Sequence, residues 1–267
     1  LFRSTSKLLS IRNIKKEDIA SFLNPSIKNF LPNPNILMDM EKSSIRTSKS
    51  IIDNEKIGIF GDYDVDGSTS TALLSKYLRE AGVEFEFYIP DRIKEGYGPN
   101  EDAFTRLVDS NCELIITLDC GTTAFKEIDF TNKKGVDVIV IDHHKQGKEL
   151  PKAFAIVNPN KQSDNSNLVN LCAAGVTFFL LVSLNRELKK INFFKDGEPN
   201  LIFFLDLVAL GTVCDLVKID HLNRAFIKQG LRILNHSPNL GVSSILKESK
   251  RSEEHTSELQ SPMYLVC

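Results

Sequence analysis

The sequence lacks any apolar run that approaches the roughly 18 residues needed for a membrane-spanning helix. Its five cysteines form no CxxC pair and follow no repeated spacing, which excludes a disulfide framework and a zinc site built on paired thiolates. Scattered cysteines are typical of proteins from a reducing compartment. These absences predict a globular, cytoplasmic protein with no membrane partner.

The surplus of positive charge that many nucleic-acid-binding proteins carry is also missing. The chain has 33 Lys and Arg residues against 35 Asp and Glu residues. Part of this balance comes from the last segment, 251–267, which reads RSEEHTSELQSPMYLVC. One frame of a DNA that resembles a sequencing-library adapter encodes Arg251–Ser261. We therefore expect the tail to be non-native, and without it the acidic and basic residues are equal in number.

The rest of the sequence divides into a mixed segment at 1–50 and a regular region at 51–250. In the regular region, short apolar runs alternate with amphipathic patterns, which predicts an α/β fold. We expect a mostly parallel sheet flanked by helices, followed by a helical C-terminal part. Strands are predicted at Lys56–Phe60, Glu84–Ile89, Glu113–Leu118, Val136–Ile141 and Phe154–Val157. Helices are predicted at Lys15–Phe22, after Gly67, and at Glu101–Val108, Ala124–Lys134, Ala173–Lys190, Leu201–Leu210 and Leu222–Asn235, with a further start at Val242.

Acidic and histidine clusters follow four of the apolar runs. They are Asp62-Tyr63-Asp64-Val65-Asp66, Asp119-Cys120-Gly121, Asp142-His143-His144 and Asp215. Ligands of parallel sheets bind beyond the carboxyl ends of the strands, so we expect the three strand-linked clusters to converge. Carboxylates crowded in this way raise one another's pKa, and a divalent cation relieves the repulsion. The mixture of carboxylate and imidazole suits Mn²⁺ or Mg²⁺, and a pair of such ions favours phosphodiester hydrolysis.

The first cluster also resembles two other kinds of ligand-binding loop. DYDVDG opens like a calcium-binding EF-hand loop, but Leu73 stands where the twelfth position requires a bidentate Glu. A phosphate-binding P-loop is excluded because no Lys follows Gly67. We expect Gly67 to allow a sharp turn and Ser68-Thr69 to cap the next helix. Taken singly, Asp119 favours a turn or a helix cap, and Asp215 a helix cap.

Together the motifs resemble the DHH phosphoesterase family, named for the triplet at Asp142-His143-His144. The similar segments run in order from Ile57 to Leu234: IFGDYDVDGSTS, YIPDRIKEGYGPN, TLDCG, VIDHH, IVNPN, LCAAGVTF, LDLVALGTVCDLV and NRAFIKQGL. Within the family, the set is most similar to the single-strand-specific 5′→3′ DNA exonucleases. This resemblance implies a hydrolase of DNA recombination and repair that uses two Mn²⁺ or Mg²⁺ ions. It also implies single-stranded DNA as substrate, and a helicase and a single-strand-binding protein as partners.

The resemblance also implies a role for individual residues. The metal ligands would be Asp64, Asp66, Asp119, His143 and Asp215, with Asp119 bridging the two ions. His144 would contact the scissile phosphate, and Asp62 would lie at the edge of the site. Arg92 and Tyr97 would lie on the substrate side, through a phosphate contact and base stacking. For this last pair, a tight surface turn with a structural Tyr remains the alternative, and Asn158-Pro159-Asn160 also fits a simple turn.

One position departs from the family pattern. Related enzymes carry a His four residues before the first metal-binding Asp, and here that position is Phe60. Phenylalanine cannot bind a metal ion, so the resemblance leaves full occupancy of both metal positions open.

The family's DHH-associated domain and the OB-fold of its exonucleases have no counterpart before Lys250. We therefore expect this segment to contain the metal site and to lack the part that grips DNA. Whether the segment is active alone stays open. The alternatives are a DHH phosphodiesterase acting on oligonucleotides or cyclic dinucleotides, and a non-catalytic binding module with the same fold. The GDYDVDG and EGYGPN segments favour the exonuclease.

Overall fold

Five parallel strands form a single sheet in the part of the chain that the computed structural model describes, residues 2–195, 197–236 and 239–248. The strands are β1 Ile57–Gly61, β2 Phe85–Tyr88, β3 Leu114–Leu118, β4 Asp137–Ile141 and β5 Ala155–Val157. Their order across the sheet is β2-β1-β3-β4-β5. The predicted fold class is confirmed, and the tail at 251–267 lies outside the described residues.

Helices surround the sheet and make up most of the C-terminal part. They are α1 Phe2–Ile11, α2 Ile19–Leu23, α3 Ile27–Phe30, α4 Met40–Asp53, α5 Val65–Glu80, α6 Glu101–Asp109, α7 Phe125–Lys133, α8 Ala173–Lys190, α9 Leu205–Cys214, α10 His221–His236 and α11 Leu240–Glu248. The single helix predicted at Leu201–Leu210 is instead a 3₁₀ turn, Leu201–Phe204, followed by α9. None of the described helices is long and apolar enough to span a membrane.

The central strands are buried on both faces, which explains their near-continuous apolar sequences. On one face, Ile57 and Ile59 of β1 belong to the core that is shared with α4, α5, α8 and α9. On the other face, Phe60 packs with side chains of α6 and α7, among them Phe104 and Ile128.

The order of the strands opens a crevice at one edge of the sheet. The chain leaves β1 through α5, on the face of Ile57, and leaves β3 through α7, on the face of Phe60. The two connections diverge to opposite faces, so the carboxyl ends of β1 and β3 form the switch point where open α/β sheets bind ligands. The clusters at Asp62 and Asp119 follow these two strands.

Helix α4 was not predicted from the sequence. Its sequence, MEKSSIRTSKSIID, is rich in Ser and Thr, which have modest helix propensity. The small side chains are nevertheless the packing surface: Ser44 and Thr47 are fully buried, and Ser44 Oγ accepts a hydrogen bond from Ser183 Oγ of α8 at 3.0 Å. Since α4 spans position 50, the segment before that position joins the main core, and the boundary at 50/51 stays a prediction.

Candidate metal centre

Three aspartates extend the strand pairing of the sheet into the crevice. The backbone N–H of Asp62 donates to Leu118 O at 3.1 Å, that of Asp119 to Ile141 O at 2.9 Å, and that of Asp142 to Val157 O at 3.0 Å. Each is therefore held by the neighbouring strand, and all three side chains are buried. The expected convergence of the strand-linked clusters is confirmed.

The first helical turn after β1 positions the next two carboxylates. Asp64, not Ser68 or Thr69 as predicted, is the N-cap of α5, and its Oδ1 accepts from Gly67 N at 2.9 Å. Gly67 lies inside this helix with no unusual backbone angle, so it is not the expected sharp turn. The position requires Gly because a Cβ there would lie 2.4 Å from Asp62 O, which is too close for any other side chain.

Asp66 is fixed by the start of α8. Its Oδ2 accepts from Ala173 N at 2.6 Å and its Oδ1 from Ala174 N at 2.9 Å. These amides belong to the positive end of the helix dipole, which favours a carboxylate. Gly211 of α9 makes room for this arrangement, since a Cβ at that position would lie 2.8 Å from Asp66 Oδ1.

Asp119 adopts a left-handed backbone conformation with φ of 63°. Asp is one of the few residues that tolerates this region, and single occurrences are enriched at functional sites. The side chain is 1% exposed, and its Oδ1 has no hydrogen-bond partner among the described residues. This buried, unpaired oxygen lies at the centre of the cluster.

His143 brings the two sides of the crevice together. Its Nε2 lies 3.2 Å from Asp119 Oδ1, 3.6 Å from Asp215 Oδ2 and 3.7 Å from Asp66 Oδ2. Asp215 reaches the site from the C-terminal end of α9. The crevice therefore assembles all five residues that the family resemblance assigns to the metals.

His144 makes a different contact from its neighbour. Its Nδ1 lies 2.8 Å from Asp142 Oδ1, which also accepts the backbone N–H groups of both histidines. Burial alone would raise the pKa of Asp142, but hydrogen bonds from His144 and Thr122 outweigh it and hold that pKa below its usual range. The Asp142 hydrogen bond in turn raises the pKa of His144. Asp142 thus orients the histidines and is not itself open to a ligand.

Other carboxylates of the cluster show the opposite shift. Burial raises the pKa of Asp62, Asp66, Asp119 and Asp215. The charges of Asp66 and Asp64 raise the pKa of Asp119 further. Desolvation and mutual repulsion both disfavour the ionised forms, so the cluster lacks compensating positive charge.

The ligand atoms form three overlapping groups, each confined within 4.8 Å. They are Asp66, His143 and Asp215; Asp119, His143 and His144; and Asp62, Asp64 and Asp119. Four buried ligand atoms in these groups have no hydrogen-bond partner among the described residues: Asp62 Oδ2, Asp119 Oδ1, His143 Nε2 and Asp215 Oδ2. Buried polar atoms are normally hydrogen-bonded, so four buried ligand atoms without partners in one cluster indicate a site for divalent cations.

Two asparagines, which the sequence allowed only as part of a turn, lock the histidine loop. Asn158 Nδ2 donates to His144 O at 2.8 Å, and Asn160 Nδ2 donates to His143 O at 2.5 Å. Asn158 is fully buried. The IVNPN segment could have been recognised by the two amides that follow strand β5 directly, at the same sheet edge as the acidic clusters.

The segment after β2 places aromatic groups beside the cluster. The Tyr97 hydroxyl lies 3.3 Å from His144 Nε2 and donates to Asp119 O at 3.4 Å. The residue is 56% exposed, and its ring meets the Tyr63 ring edge-on, with centroids 6.4 Å apart. The Arg92 guanidinium lies 5.5 Å from the Tyr63 ring centre. The structure thus brings Arg92 and Tyr97 to the site and adds Tyr63, which the sequence analysis missed.

Phe60 is part of the core and offers no ligand. Its ring packs against those of Tyr88, with centroids 6.0 Å apart, and Phe104, at 5.7 Å. The side chain is fully buried. The departure from the family pattern at this position is therefore accommodated by an apolar cluster on the far face of the sheet.

Comparison with known families agrees with the motifs. A family model described as "DHH family, N-terminal domain" matches residues 56–212, which include every candidate ligand except Asp215. The match confirms the resemblance that the ordered motifs indicate.

Two curated relatives and one solved structure show the extent of the similarity. The single-stranded-DNA-specific exonuclease RecJ of Bacillus subtilis (strain 168) is 40% identical over 210 residues, covering 79% of this chain and 25% of that protein. RecJ of Escherichia coli (strain K12) is 34% identical over 240 residues, covering 88% and 41%. A crystal structure of exonuclease RecJ bound to manganese has a TM-score of 0.71 at 30% identity, covering 81% of this chain and 53% of that one. The chain spans about a quarter to two fifths of the length of the two curated relatives.

Proposed function

The chain belongs to the DHH family, and we propose that it carries, within 51–250, the catalytic domain of a metal-dependent 5′→3′ exonuclease. The substrate would be single-stranded DNA, and the reaction hydrolysis of its phosphodiester bonds. The observation that supports this most strongly is the set of unpaired ligand atoms around Asp119. The names of the relatives supply the substrate class.

We propose that two Mn²⁺ or Mg²⁺ ions are held by the acidic cluster. Asp66, His143 and Asp215 would hold one ion, and Asp64 and Asp119 the other, with Asp119 close enough to His143 to contribute to both. Asp62 would add an oxygen ligand to the second group. Carboxylate oxygens are the ligands that these hard ions prefer.

Such ions, when bound, lower the pKa of water and balance the negative charge that develops on the phosphoryl group. The protein contributes the position of the groups around them. Asp142 Oδ1 contacts Nδ1 of His144 and Asp119 O accepts from the Tyr97 hydroxyl, so Nε2 of His144 is the donor left for a phosphoryl oxygen. The side chain of His144 is 45% exposed, so a substrate can reach it.

The substrate would approach along the aromatic side of the crevice. Tyr63 and Tyr97 present ring surfaces on which bases can stack, and the exposed Arg92 supplies a cation for a phosphate. Sequence-tolerant stacking of this kind suits a nuclease that reads no particular bases.

The wider role proposed is in DNA recombination and repair, with a helicase exposing the strand and a single-strand-binding protein covering it. Cys112, Cys120, Cys172 and Cys214 are free thiols, which suits the reducing cytoplasm where such DNA lies. DHH-associated and OB domains would complete the substrate grip in the longer relatives.

The proposed function is tested with strands labelled at the 5′ or the 3′ end and 5′-phosphorylated. With Mn²⁺, we expect the 5′ label to be released first as a mononucleotide, and excess chelator to stop the release. Release of the 3′ label first, or unchanged cleavage in chelator, would contradict the proposal. If the protein cleaved dinucleotides but not longer strands, its substrate would be short oligonucleotides and not single-stranded DNA.

A further inference from the structure

Helix α10 carries a row of basic side chains on one face, which we call the α10 stripe: Arg224, Lys228 and Arg232. Their four-residue spacing places successive side chains on the same side of the helix, with about 6 Å of rise between them. His236 continues the row at the end of the helix. Arg224, Lys228 and Arg232 therefore form a row of cations about 12 Å long.

The stripe has no acidic partner among the described residues. The Arg224 guanidinium lies 4.0 Å from the Phe22 ring centre and donates to Phe22 O at 3.2 Å. Lys228 donates to the side-chain oxygen of Asn24. Both contacts are with neutral groups, so they orient the cations without neutralising them. By contrast, Lys189 and Lys190 at the end of α8 each pair with a Glu at 2.7 Å.

The positive charges repel one another. Burial lowers the pKa of Arg224, and Arg12 lowers it further. Burial also lowers the pKa of Lys228, and both Arg232 and Arg224 add to that effect. Like charges at this spacing destabilise the folded protein. A bound anion would relieve that repulsion.

The stripe borders a cleft of about 380 Å³ between α10 and the segment around α2. Apolar side chains of α10 and of the segment around α2, such as Leu23 and Ile227, form part of its lining, and Arg224, Lys228 and Arg232 contribute its charge. Among the residues that the structure describes, no acidic side chain lines it. An anionic polymer that also carries apolar surfaces matches this lining.

Helix α10 starts near the candidate metal centre. Helix α10 begins six residues after Asp215. Asn223 in its first turn donates to Asn170 O at 2.7 Å, and Asn170 lies just before the α8 amides that hold Asp66. The first turn of α10 therefore lies near the residues that hold Asp66, and the helix extends for about 24 Å from there.

We propose that the α10 stripe binds the phosphodiester backbone of a single strand of nucleic acid, as a secondary contact outside the metal centre. The stripe and its cleft are independent of that centre, but the choice of nucleic acid as the occupant rests on the proposed function. Its cations would act as sequence-independent phosphate contacts, the type that dominates affinity for nucleic acids.

The test compares the full chain with K228Q/R232Q and with the control K189Q/K190Q, which removes the same charge from ion-paired positions. The probe is a fluorescein-labelled oligothymidylate of twenty nucleotides, and binding is followed by fluorescence anisotropy in chelator at several salt concentrations. Each lost phosphate contact reduces the slope of log K against log salt by about 0.7 for a single strand. We expect K228Q/R232Q to reduce it by about 1.4 and to weaken binding several-fold at low salt, while the control changes neither. Circular dichroism melting checks that both variants fold.

The outcomes separate this inference from the proposed function, because binding in chelator requires no cleavage. A stripe-dependent salt slope would support the stripe whether or not the chain releases nucleotides. If cleavage depended on metal but the salt slope of binding was the same for the wild type and K228Q/R232Q, only the proposed role of the α10 stripe would be wrong. Absence of binding would overturn it too. If a polyglutamate peptide of equal charge bound as tightly, with the same dependence on Lys228 and Arg232, the occupant would be an acidic protein and the proposal would be wrong.

Discussion

Two groups of charged side chains in this protein, one partly buried and one largely buried, are built in opposite ways. At the base of α4, the Arg46 guanidinium lies 2.6 Å from both Glu55 and Asp137, and the nearly buried Lys161 lies 2.8 Å from Asp39. In the metal centre, carboxylates face one another with unpaired oxygens. The first arrangement compensates each charge and ties the N-terminal segment to β4 and β5. The second leaves negative charge uncompensated, which lowers stability and prepares a cation site.

The largest expected effect is on catalysis, from a change at the centre of the unpaired group. Asp119→Asn keeps the shape and tolerates the left-handed backbone, but removes one charge from both proposed ion positions. We expect the rate of nucleotide release to fall by about a thousandfold or more, comparable to the loss of a central electrostatic group in other enzymes. The metal-free variant should be as stable as the wild type or more stable, because repulsion is relieved.

Single-turnover release from a 5′-labelled strand measures this loss, and thermal melting in chelator measures the stability. The matched control is Asp102→Asn, an exposed carboxylate in the first turn of α6, which should change neither quantity. Retention of activity by Asp119→Asn would refute the assignment of the centre.

The second prediction concerns metal binding without turnover. If the unpaired carboxylates hold ions only in the folded state, Mn²⁺ at a hundred times its Kd should stabilise the protein by about 2.7 kcal/mol. For a chain of this size, that corresponds to a rise in Tm of roughly 5–10 °C. Differential scanning calorimetry with and without Mn²⁺ measures it, and Asp119→Asn should show a much smaller rise. An equal rise in both proteins would place the bound ion elsewhere.

The third prediction tests the compensated group. Lys161 Nζ also donates to Ile156 O, so Lys161→Met leaves that buried carbonyl without its donor and Asp39 without its cation. We expect a loss of about 2 kcal/mol in the free energy of unfolding, since an unsatisfied buried group costs about 1–3 kcal/mol. Urea unfolding measures it. The Mn²⁺-induced rise in Tm should be unaffected, and a loss of that rise would show that the two groups are not independent.

The sequence predicted one of these two groups much better than the other. Asp62, Asp119 and Asp142 could be assigned to one edge because strand ends and turn residues are local signals, and parallel strands bring their carboxyl ends together. The role of Asp64 as the N-cap was missed because the following Ser and Thr are equally good caps. The contacts of Arg46 with Asp137 and of Lys161 with Asp39 could not be predicted, since these partners lie 91 and 122 positions away. The apolar packing of Phe60 was equally hidden, because only the structure shows which face of β1 it occupies.

The smallest expected effect is on the pH dependence of stability, which has opposite signs for the metal centre and for the compensated group. Burial raises the pKa of Asp66 and Asp119, so between about pH 4 and those raised values the folded state binds more protons than the unfolded chain. Their contribution to stability is therefore present at low pH and is lost as the pH rises. For Glu55, burial alone would raise the pKa, but hydrogen bonds from Ser50 and Arg46 outweigh it and lower the pKa. That contribution is present above about pH 4 and is lost as the pH falls.

Thermal melting in chelator from pH 3 to pH 8 separates the two contributions. Relative to wild type, Asp119→Asn should lose less stability between pH 5.5 and pH 8, and Glu55→Gln should lose less between pH 5 and pH 3. A difference of about 1 kcal/mol would appear as roughly 2–4 °C in Tm. Saturating Mn²⁺ should abolish the first difference and leave the second, because only the carboxylates of the metal centre would gain a cation. If Mn²⁺ changed both equally, the contrast between the uncompensated and the compensated group would be wrong.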